Sequence, residues 1–216
     1  DHASKQLHLS PRTIQEKIQA SELVRENPEL AKEKSSKRII QKHRHLNLKP
    51  QILPTGKYHV ILADPPWEYS NSGLGGSAAN HYPTMSLDRL KKIPIPDLTM
   101  KDGVLFMWAT NPMLKDALEL MYSWGFEYKT NLAWIKNKET YGKLGFYVLG
   151  KHELLLIGIK GSMLPKTTPI SVIEADKGQH SRKPERVYSI IEAMYPKMKY
   201  VELFARNKRN GWESFG

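Results

Sequence analysis

Residues 58–67 of the chain read YHVILADPPW. The first six form a nearly continuous apolar run, which is typical of a parallel strand that is covered on both faces of a sheet. A second apolar run occupies residues 104–109 and leads through Asn111-Pro112 into a helix that we expect to end near Ser123. The order strand, helix, strand predicts an α/β domain.

Other segments of the sequence extend this pattern. Three more strands are predicted over residues 127–135, 152–159 and 200–205, and a helix is predicted over residues 184–194. The helix has apolar residues at helical spacing, which should turn inward: Val187, Ile190, Ile191 and Met194. We therefore expect one α/β domain with a mostly parallel sheet.

The first 48 residues have a different, helical character. Ser10 followed by Pro11 is a helix start, and it predicts a short helix over residues 11–20. Ala3 and Leu7 share a face ahead of it, so the spacing is that of a partial helix-turn-helix, with a plain helical hairpin as the alternative. A charged helix is predicted over residues 29–43. We place the boundary between a helical segment, 1–48, and the main domain, 49–216.

Composition excludes several classes of protein. The 216 residues include no Cys, which removes disulfides and thiolate zinc sites, and 40% are apolar, which excludes disorder throughout. No apolar stretch approaches the roughly 18 to 20 residues of a membrane span, and the N-terminus has no signal-peptide segment, so we expect a cytoplasmic protein without a membrane partner. A net charge of +11 permits nucleic acid as a partner, although solvated surface explains it equally well.

Asp64-Pro65-Pro66-Trp67 carries the chemistry, because the carboxyl ends of strands are where open α/β sheets bind ligands. An exocyclic amine is a poor nucleophile while its lone pair is delocalised into the ring. Two acceptors that hold both amine hydrogens favour the nucleophilic geometry, and the Asp64 carboxylate and the Pro65 carbonyl supply two. Trp67 offers a flat face on which a flipped base can stack. The alternative interpretation is an ordinary turn that ends a strand.

Six blocks of residues carry a resemblance to a known family. The chain resembles, over about residues 56–216, the adenine-N6 methyltransferases named after the seventy-kilodalton subunit of the messenger-RNA adenosine methyltransferase. The blocks are Ala63 to Trp67, Tyr82 to Met85, Leu105 to Trp108, Lys151 to Glu153, His180 to Pro184, and Glu202 to Arg206 followed by Gly211-Trp212. The resemblance implies a Rossmann-like S-adenosylmethionine-dependent methyltransferase fold in which the catalytic block precedes the cofactor-binding block.

The resemblance also implies which residues form the site. The catalytic residues would be Asp64, Pro65, Pro66 and Trp67. Asp64 would also face the methionine end of S-adenosylmethionine and Lys183 would hold its carboxylate, while further cofactor contacts would come from Glu202, Phe204, Arg206 and Asn207. The substrate would meet Trp67, Tyr82, His81 and Asn111, with residues 70–83 as a lid over the base.

Several of these residues have plainer explanations. Glu202 and Arg206 could form a surface ion pair, and Asn111 could cap a helix. His152 and Glu153 could be metal ligands, but no second pair accompanies them at ligand spacing, so we expect strand-end packing or substrate positioning there and no metal. All four residues of the catalytic block are intact, which predicts an active enzyme.

The sequence as a whole therefore predicts an enzyme that transfers a methyl group from S-adenosylmethionine to the N6 amine of adenine in nucleic acid. Direct in-line displacement is expected, without a covalent enzyme intermediate. DNA is favoured over RNA because the front helices resemble those that precede bacterial and phage members. The alternative from another class is a non-catalytic nucleic-acid-binding protein with a methyltransferase-like scaffold. We expect either a homodimer or a related partner subunit.

Overall fold

A seven-stranded sheet forms the centre of the larger of two compact units in the computed structural model, which describes residues 9–36, 38–40, 43, 53–68, 84–137, 147–176 and 182–216. The larger unit comprises residues 52–67 and 85–216, and the smaller one comprises residues 1–51 and 68–84. The predicted helix-turn-helix partner at Ala3 and Leu7 and the predicted boundary after residue 48 lie outside the described residues.

In the smaller unit, helix α1 (Pro11–Glu26) begins as expected. The Ser10 hydroxyl accepts a hydrogen bond from the Thr13 backbone N–H at 3.2 Å, and Pro11 occupies the first turn. The helix is longer than the predicted ten residues. A 3₁₀ helix (Pro28–Lys32) follows it, and the chain bends at residues 33–35. The predicted helix over 29–43 is therefore not continuous: the bend at 33–35 interrupts it, and among the described residues after the bend, 36, 38–40 and 43 are helical.

The larger unit alternates strands and helices. Its strands are β1 (Tyr58–Ala63), β2 (Thr99–Ala109), β3 (Glu127–Lys136), β4 (His152–Lys160), β5 (Val172–Ala175), β6 (Tyr200–Leu203) and β7 (Trp212–Phe215). Its α-helices are α2 (Leu87–Lys91), α3 (Ile95–Leu98), α4 (Leu114–Ser123) and α5 (Arg186–Met194), and a short 3₁₀ helix (Asn111–Met113) precedes α4. The predicted α/β domain is confirmed, and every strand and helix expected in this unit is present.

The strands lie in the order β5-β3-β4-β2-β1-β6-β7. β1 pairs in parallel with both β2 and β6, β6 with β7, and β3 with β5. Strand β4 runs antiparallel to both of its neighbours, β2 and β3. As a result, the start of β4 lies at the same edge of the sheet as the ends of all the other strands.

Burial explains why the central strands could be predicted. Val60 and Leu62 of β1 and Val104 and Phe106 of β2 are at most 2% exposed and belong to one core cluster. Helix α5 covers this cluster with Val187, Ile191 and Met194, which are buried as predicted, while Ile190 is only partly buried. These strand side chains alternate along the sequence and so line one face of the sheet, where their burial under α5 stabilises the unit.

Candidate active site

The Asp64-Pro65-Pro66-Trp67 turn begins where β1 ends. Parallel pairing of Ala63 with Leu203 places Asp64 beside the residue that follows β6, and the Asp64 backbone N–H donates to the Leu203 carbonyl at 3.5 Å. The end of β2 lies on the other side, since Ala63 also pairs with Met107. The turn therefore lies between two strand ends at the ligand-binding edge of the sheet.

Backbone hydrogen bonds fix the shape of this turn. The Trp67 N–H donates to the Pro65 carbonyl at 2.9 Å, and the Met85 N–H donates to the Pro66 carbonyl at 2.8 Å. Pro65 and Pro66 have no N–H of their own, so neither competes for these acceptors. A carbonyl oxygen has two lone pairs, and that of Pro65 keeps the capacity to accept a second hydrogen bond.

Trp67 is more deeply packed than the sequence suggested. Trp67 is only 6% exposed, and its indole N–H donates a hydrogen bond to the Trp108 carbonyl at 3.3 Å. This bond ties the turn after β1 to the end of β2. The stacking of a base on Trp67 stays a prediction, and the structure adds a second task, which is to hold the turn in place.

A chain of four charged side chains crosses the site. The Lys183 ammonium contacts the Asp64 carboxylate and the Glu153 carboxylate, each at 3.1 Å. The other oxygen of Glu153 accepts a hydrogen bond from the Lys136 ammonium at 2.6 Å. Cations and anions alternate along the chain, so its net charge is zero when all four groups are ionised.

Burial makes these ion pairs strong. Burial alone would lower the pKa of Lys183, but the Asp64 and Glu153 carboxylates outweigh it and hold that pKa above the ordinary value of 10.5. In the same way, burial alone would raise the pKa of Glu153, but Lys183 and Lys136 hold it below the ordinary value. Lys183 and Glu153 are therefore both charged at neutral pH.

Two tryptophan rings pack against the two lysines of this row of charged side chains. The Lys183 ammonium lies 5.3 Å from the centre of the Trp108 ring, and the Lys136 ammonium lies 5.3 Å from the centre of the Trp134 ring. The two rings meet edge to face, with their centres 5.9 Å apart. Each ammonium therefore has an aromatic face on one side and carboxylate on another, which restricts its movement.

Glu202 lies on β6 next to β1, at the same edge of the sheet. Its two carboxylate oxygens are each 3.0 Å from the Tyr188 hydroxyl on α5. Burial raises the pKa of Glu202, and the nearby negative charge of Asp64 adds to this effect, whereas the Tyr188 hydroxyl opposes it. No cation of the described residues is bound directly to Glu202, and a half-buried carboxylate of this kind is suited to accept hydrogen bonds from a ligand's hydroxyl groups.

The backbone turns sharply after β6. Phe204 has a φ of 62°, which is the left-handed region that bulky residues rarely adopt, and its ring meets Phe215 edge to face. Strain of this kind is concentrated at functional sites. The turn carries the chain to Arg206 and Asn207, whose side chains are exposed. The four residues predicted to bind the cofactor after β6 thus lie on one strand end and its loop.

Asn111 and His152 meet at the same edge. The Asn111 side-chain nitrogen lies 3.1 Å from Nε2 of His152, at the point where β2 ends and β4 begins. Asn111 is the first residue of a 3₁₀ helix, and it is Thr110 that occupies the capping position. The alternative explanation of Asn111 as a helix cap is therefore wrong.

Some predicted site residues cannot be placed. Tyr82, His81 and the expected lid over residues 70–83 lie outside the described residues. Among the residues that the structure does describe, no group of three or more His, Asp or Glu side chains is arranged to hold a metal ion. In the same described ranges, no helix is both long and apolar enough to cross a membrane.

Sequence reasoning missed two members of the site. Lys136 and Tyr188 belong to no motif of the sequence analysis, so the sequence predicts no role for them. Glu153 was noted only as a candidate for packing or positioning. The available signal was the register of β3 against β4, in which Trp134 pairs with Glu153 and brings Lys136 alongside.

The chain is similar to several known methyltransferases. A profile of the MT-A70 family matches residues 58–216. The Mycoplasma type II methyltransferase M.MunI is 37% identical over 185 residues, which cover 76% of this chain and 78% of that protein. A probable N(6)-adenosine-methyltransferase MT-A70-like protein of Oryza sativa subsp. japonica is 31% identical over 79% of this chain, and the human N(6)-adenosine-methyltransferase catalytic subunit METTL3 is 29% identical over 74% of it. The match covers only 24% and 28% of these two longer proteins.

Proposed function

The chain belongs to the MT-A70 family of methyltransferases, and from this premise we propose that it methylates the N6 amine of adenine in DNA, with S-adenosylmethionine as the methyl donor. The observation that carries the proposal is the geometry around Asp64. Its carboxylate lies at the ligand-binding edge of the sheet, paired with a lysine whose side chain is only 17% exposed, next to a carbonyl that can still accept a hydrogen bond.

The residues present fit the donor chemically. Lys183 offers positive charge for its carboxylate, Glu202 and Arg206 offer polar contacts for its ribose and nearby groups, and Phe204 offers an apolar contact. Glu202, Phe204 and Arg206 belong to, or follow, β6, which ends at the edge where Asp64 lies, and Lys183 contacts Asp64 there. When bound, S-adenosylmethionine supplies an electrophilic methyl group on a sulfonium.

The chain's own residues act on the amine. Asp64 accepts a hydrogen bond from one amine N–H, and the Pro65 carbonyl accepts the other, which directs the nitrogen lone pair away from the ring. The Lys183 ammonium contacts the Asp64 carboxylate at 3.1 Å and holds it in place. Alignment of the amine in this way accounts for most of the expected acceleration, since proximity and orientation contribute about 7 to 11 kcal/mol in favourable cases.

The preference for DNA is supported by two observations. The match with M.MunI, a type II methyltransferase, covers 78% of the length of M.MunI. The matches with the N(6)-adenosine enzymes cover only about a quarter of the length of those enzymes. The second observation is the capped helix α1, which is the described half of the expected helix-turn-helix. We also propose that the protein works as a pair of subunits, identical or related, because the partner would then contact the part of a DNA duplex that this subunit does not reach.

A methyl-transfer assay with product analysis tests this function. The chain is incubated with S-adenosylmethionine that carries a deuterated methyl group and, in parallel, with single-stranded DNA, duplex DNA, RNA of matched sequence and free deoxyadenosine. Mass spectrometry of the digested nucleosides should show labelled N6-methyldeoxyadenosine from DNA. Label mainly in RNA would replace DNA by the RNA alternative, and label on cytosine would refute the proposed amine.

The same experiment separates the enzyme from a scaffold. A scaffold would bind nucleic acid without transferring label, and calorimetry would show no uptake of S-adenosylmethionine. The intact ion pair between Asp64 and Lys183 favours the enzyme, because a scaffold has no use for a buried charge at the edge of its sheet.

A further inference from the structure

We propose that Glu153 is a positioning residue of the active site, which fixes the Lys183 ammonium against Asp64, and that Lys136 balances its charge. This inference rests on the proposed function, since the benefit of a fixed Lys183 is a fixed Asp64 carboxylate. Its structural part can be tested separately.

The first argument is the way in which Glu153 is bound. The side chain is 11% exposed, and each of its two oxygens contacts a different ammonium, Lys136 at 2.6 Å and Lys183 at 3.1 Å. A carboxylate at the surface seldom gains from two such contacts, because water competes and the long side chains lose rotamer freedom. A buried one needs them, and here they also hold the two lysines in defined positions.

The second argument is where the groups come from. Lys136 ends β3, Glu153 is the second residue of β4, Lys183 precedes α5 and Asp64 follows β1. Four separate elements therefore meet through one chain of charges. Backbone pairing of Trp134 with Glu153 sets the position of Glu153, so the chain is fixed to the sheet rather than to a loop. Sites built on strands hold their geometry better than sites on loops.

The third argument concerns the freedom of Lys183. A lysine ends in a point charge on four flexible methylene groups, so one carboxylate does not hold it in a single place. Here Asp64 and Glu153 hold the ammonium from two directions, and the Trp108 ring lies 5.3 Å away on a third. Without Glu153, the ammonium can leave Asp64 for solvent. Preorganised charge of this kind is what an active site needs at the moment of reaction.

The fourth argument is the charge balance. The row of four charged side chains contains two cations and two anions. Replacing Glu153 by a neutral residue therefore leaves a surplus positive charge. Replacing Lys136 instead leaves Lys183 in contact with both of its carboxylates. The two substitutions are therefore unequal although the residues touch. A purely structural ion pair between Lys136 and Glu153 would make them equivalent.

The test uses Glu153→Gln, Lys136→Gln and the double variant, with Glu127→Gln as the control. Glu127 lies on the same sheet and pairs with Lys129 at 2.9 Å, but its side chain is 71% exposed. We expect Glu153→Gln to lower kcat by about 10- to 100-fold, because a misplaced catalytic group costs up to that factor. KM for DNA should change by less than about threefold, as expected when an interaction made in the transition state is lost. The control should match the wild type.

The pH profile distinguishes positioning from folding. With Glu153 replaced, Lys183 loses one of the two anions that face it and keeps only Asp64, so the fall of kcat on the alkaline side should move to lower pH. Lys136→Gln should not move it in that direction, and the double variant, which is again neutral overall, should recover part of the kcat lost by Glu153→Gln. An alkaline limb that stays in place in Glu153→Gln, with kcat within about twofold of the wild type, would overturn the proposal.

A measurement without turnover keeps this test separate from the proposed function. Proteins with ¹³C-labelled lysine are titrated by NMR, and the Lys183 signal is assigned by its absence from Lys183→Met. Lys183 should stay protonated up to the ordinary lysine pKa of 10.5 in the wild type and should titrate earlier in Glu153→Gln. An unchanged Lys183 titration refutes the positioning role even if methylation is found. An earlier titration in a chain that methylates nothing upholds the charge chain and refutes the proposed function.

Discussion

Lys183→Met is the substitution whose effect on stability can be worked out most fully. It removes an ammonium that contacts two carboxylates, while the methionine keeps apolar contact with the Trp108 ring. Removing one partner of a buried ion pair costs about 3 to 5 kcal/mol. Here the cost is smaller, because Glu153 keeps Lys136 and the Asp64 side chain, 25% exposed, is partly hydrated when it is left alone.

We therefore expect the free energy of unfolding at neutral pH to fall by about 2 to 3 kcal/mol. The sign of the pH dependence follows from the pKa directions. Glu153 has a lowered pKa, so its stabilising contribution is present above its unfolded pKa and is lost as pH falls through its folded pKa. Lys183 has a raised pKa, so its own contribution is complete at neutral pH. The difference between variant and wild type should thus shrink in acid.

Urea unfolding followed by tryptophan fluorescence measures this difference. All five tryptophans belong to the larger unit, so the signal reports on that unit: Trp67, Trp108, Trp124, Trp134 and Trp212. Lys129→Met, which removes the exposed partner of Glu127, is the matched control and should cost less than about 1 kcal/mol. An equal, small loss in both variants, or a loss for Lys183→Met that is independent of pH, would refute the assignment of a buried charge chain.

Three further substitutions have defined outcomes. Glu202→Gln should raise Tm by about 1 to 3 °C at neutral pH, because it removes a half-buried carboxylate whose pKa is raised by burial and by Asp64, and the gain should vanish in acid. The same substitution should weaken S-adenosylmethionine binding in calorimetry, and a tighter complex would contradict this. Trp67→Ala should weaken DNA binding more than cofactor binding in titrations, and equal losses would argue against base stacking. Trp124→Phe should cost about 2 kcal/mol in urea unfolding, because it leaves the Leu90 carbonyl, now bonded to the indole at 3.1 Å, without its donor; a neutral result would show that water replaces it.

The sequence was informative where the signal is local. An apolar run that ends in Asp64-Pro65-Pro66 predicts both a buried strand and a site at its end, because strand burial and the carboxyl-end rule need no knowledge of the partners. The Ser10 cap works in the same way, since its hydrogen bond to the Thr13 N–H spans three residues. Family resemblance then supplied Lys183, which no local pattern singles out.

Sequence reasoning failed where a contact depends on the pairing of distant segments. Lys136 and Glu153 are 17 residues apart and meet only because β4 reverses beside β3. Tyr188 reaches Glu202 only once α5 lies over β6. The edge strands β5 and β7 were missed because each is four residues long and lacks a continuous apolar run.

Trp67 shows a different kind of difference between expectation and structure. Its position in the motif predicted a surface for a base, and the structure shows a buried ring that donates a hydrogen bond to the end of β2. Both tasks depend on the same flat side chain, so residue type alone could not separate them. Packing against a neighbouring strand is a property of the folded chain.

The central claim is that Asp64 orients the amine that is methylated, and single-turnover methyl transfer by Asp64→Ala tests it most directly. Wild type and variant are loaded with labelled S-adenosylmethionine, mixed with DNA in excess and quenched over time, while circular dichroism and calorimetry verify the fold and the bound donor. We predict that the folded variant still takes up the donor and forms no N6-methyldeoxyadenosine above background. Product formation by the variant at a rate near that of the wild type would contradict the account.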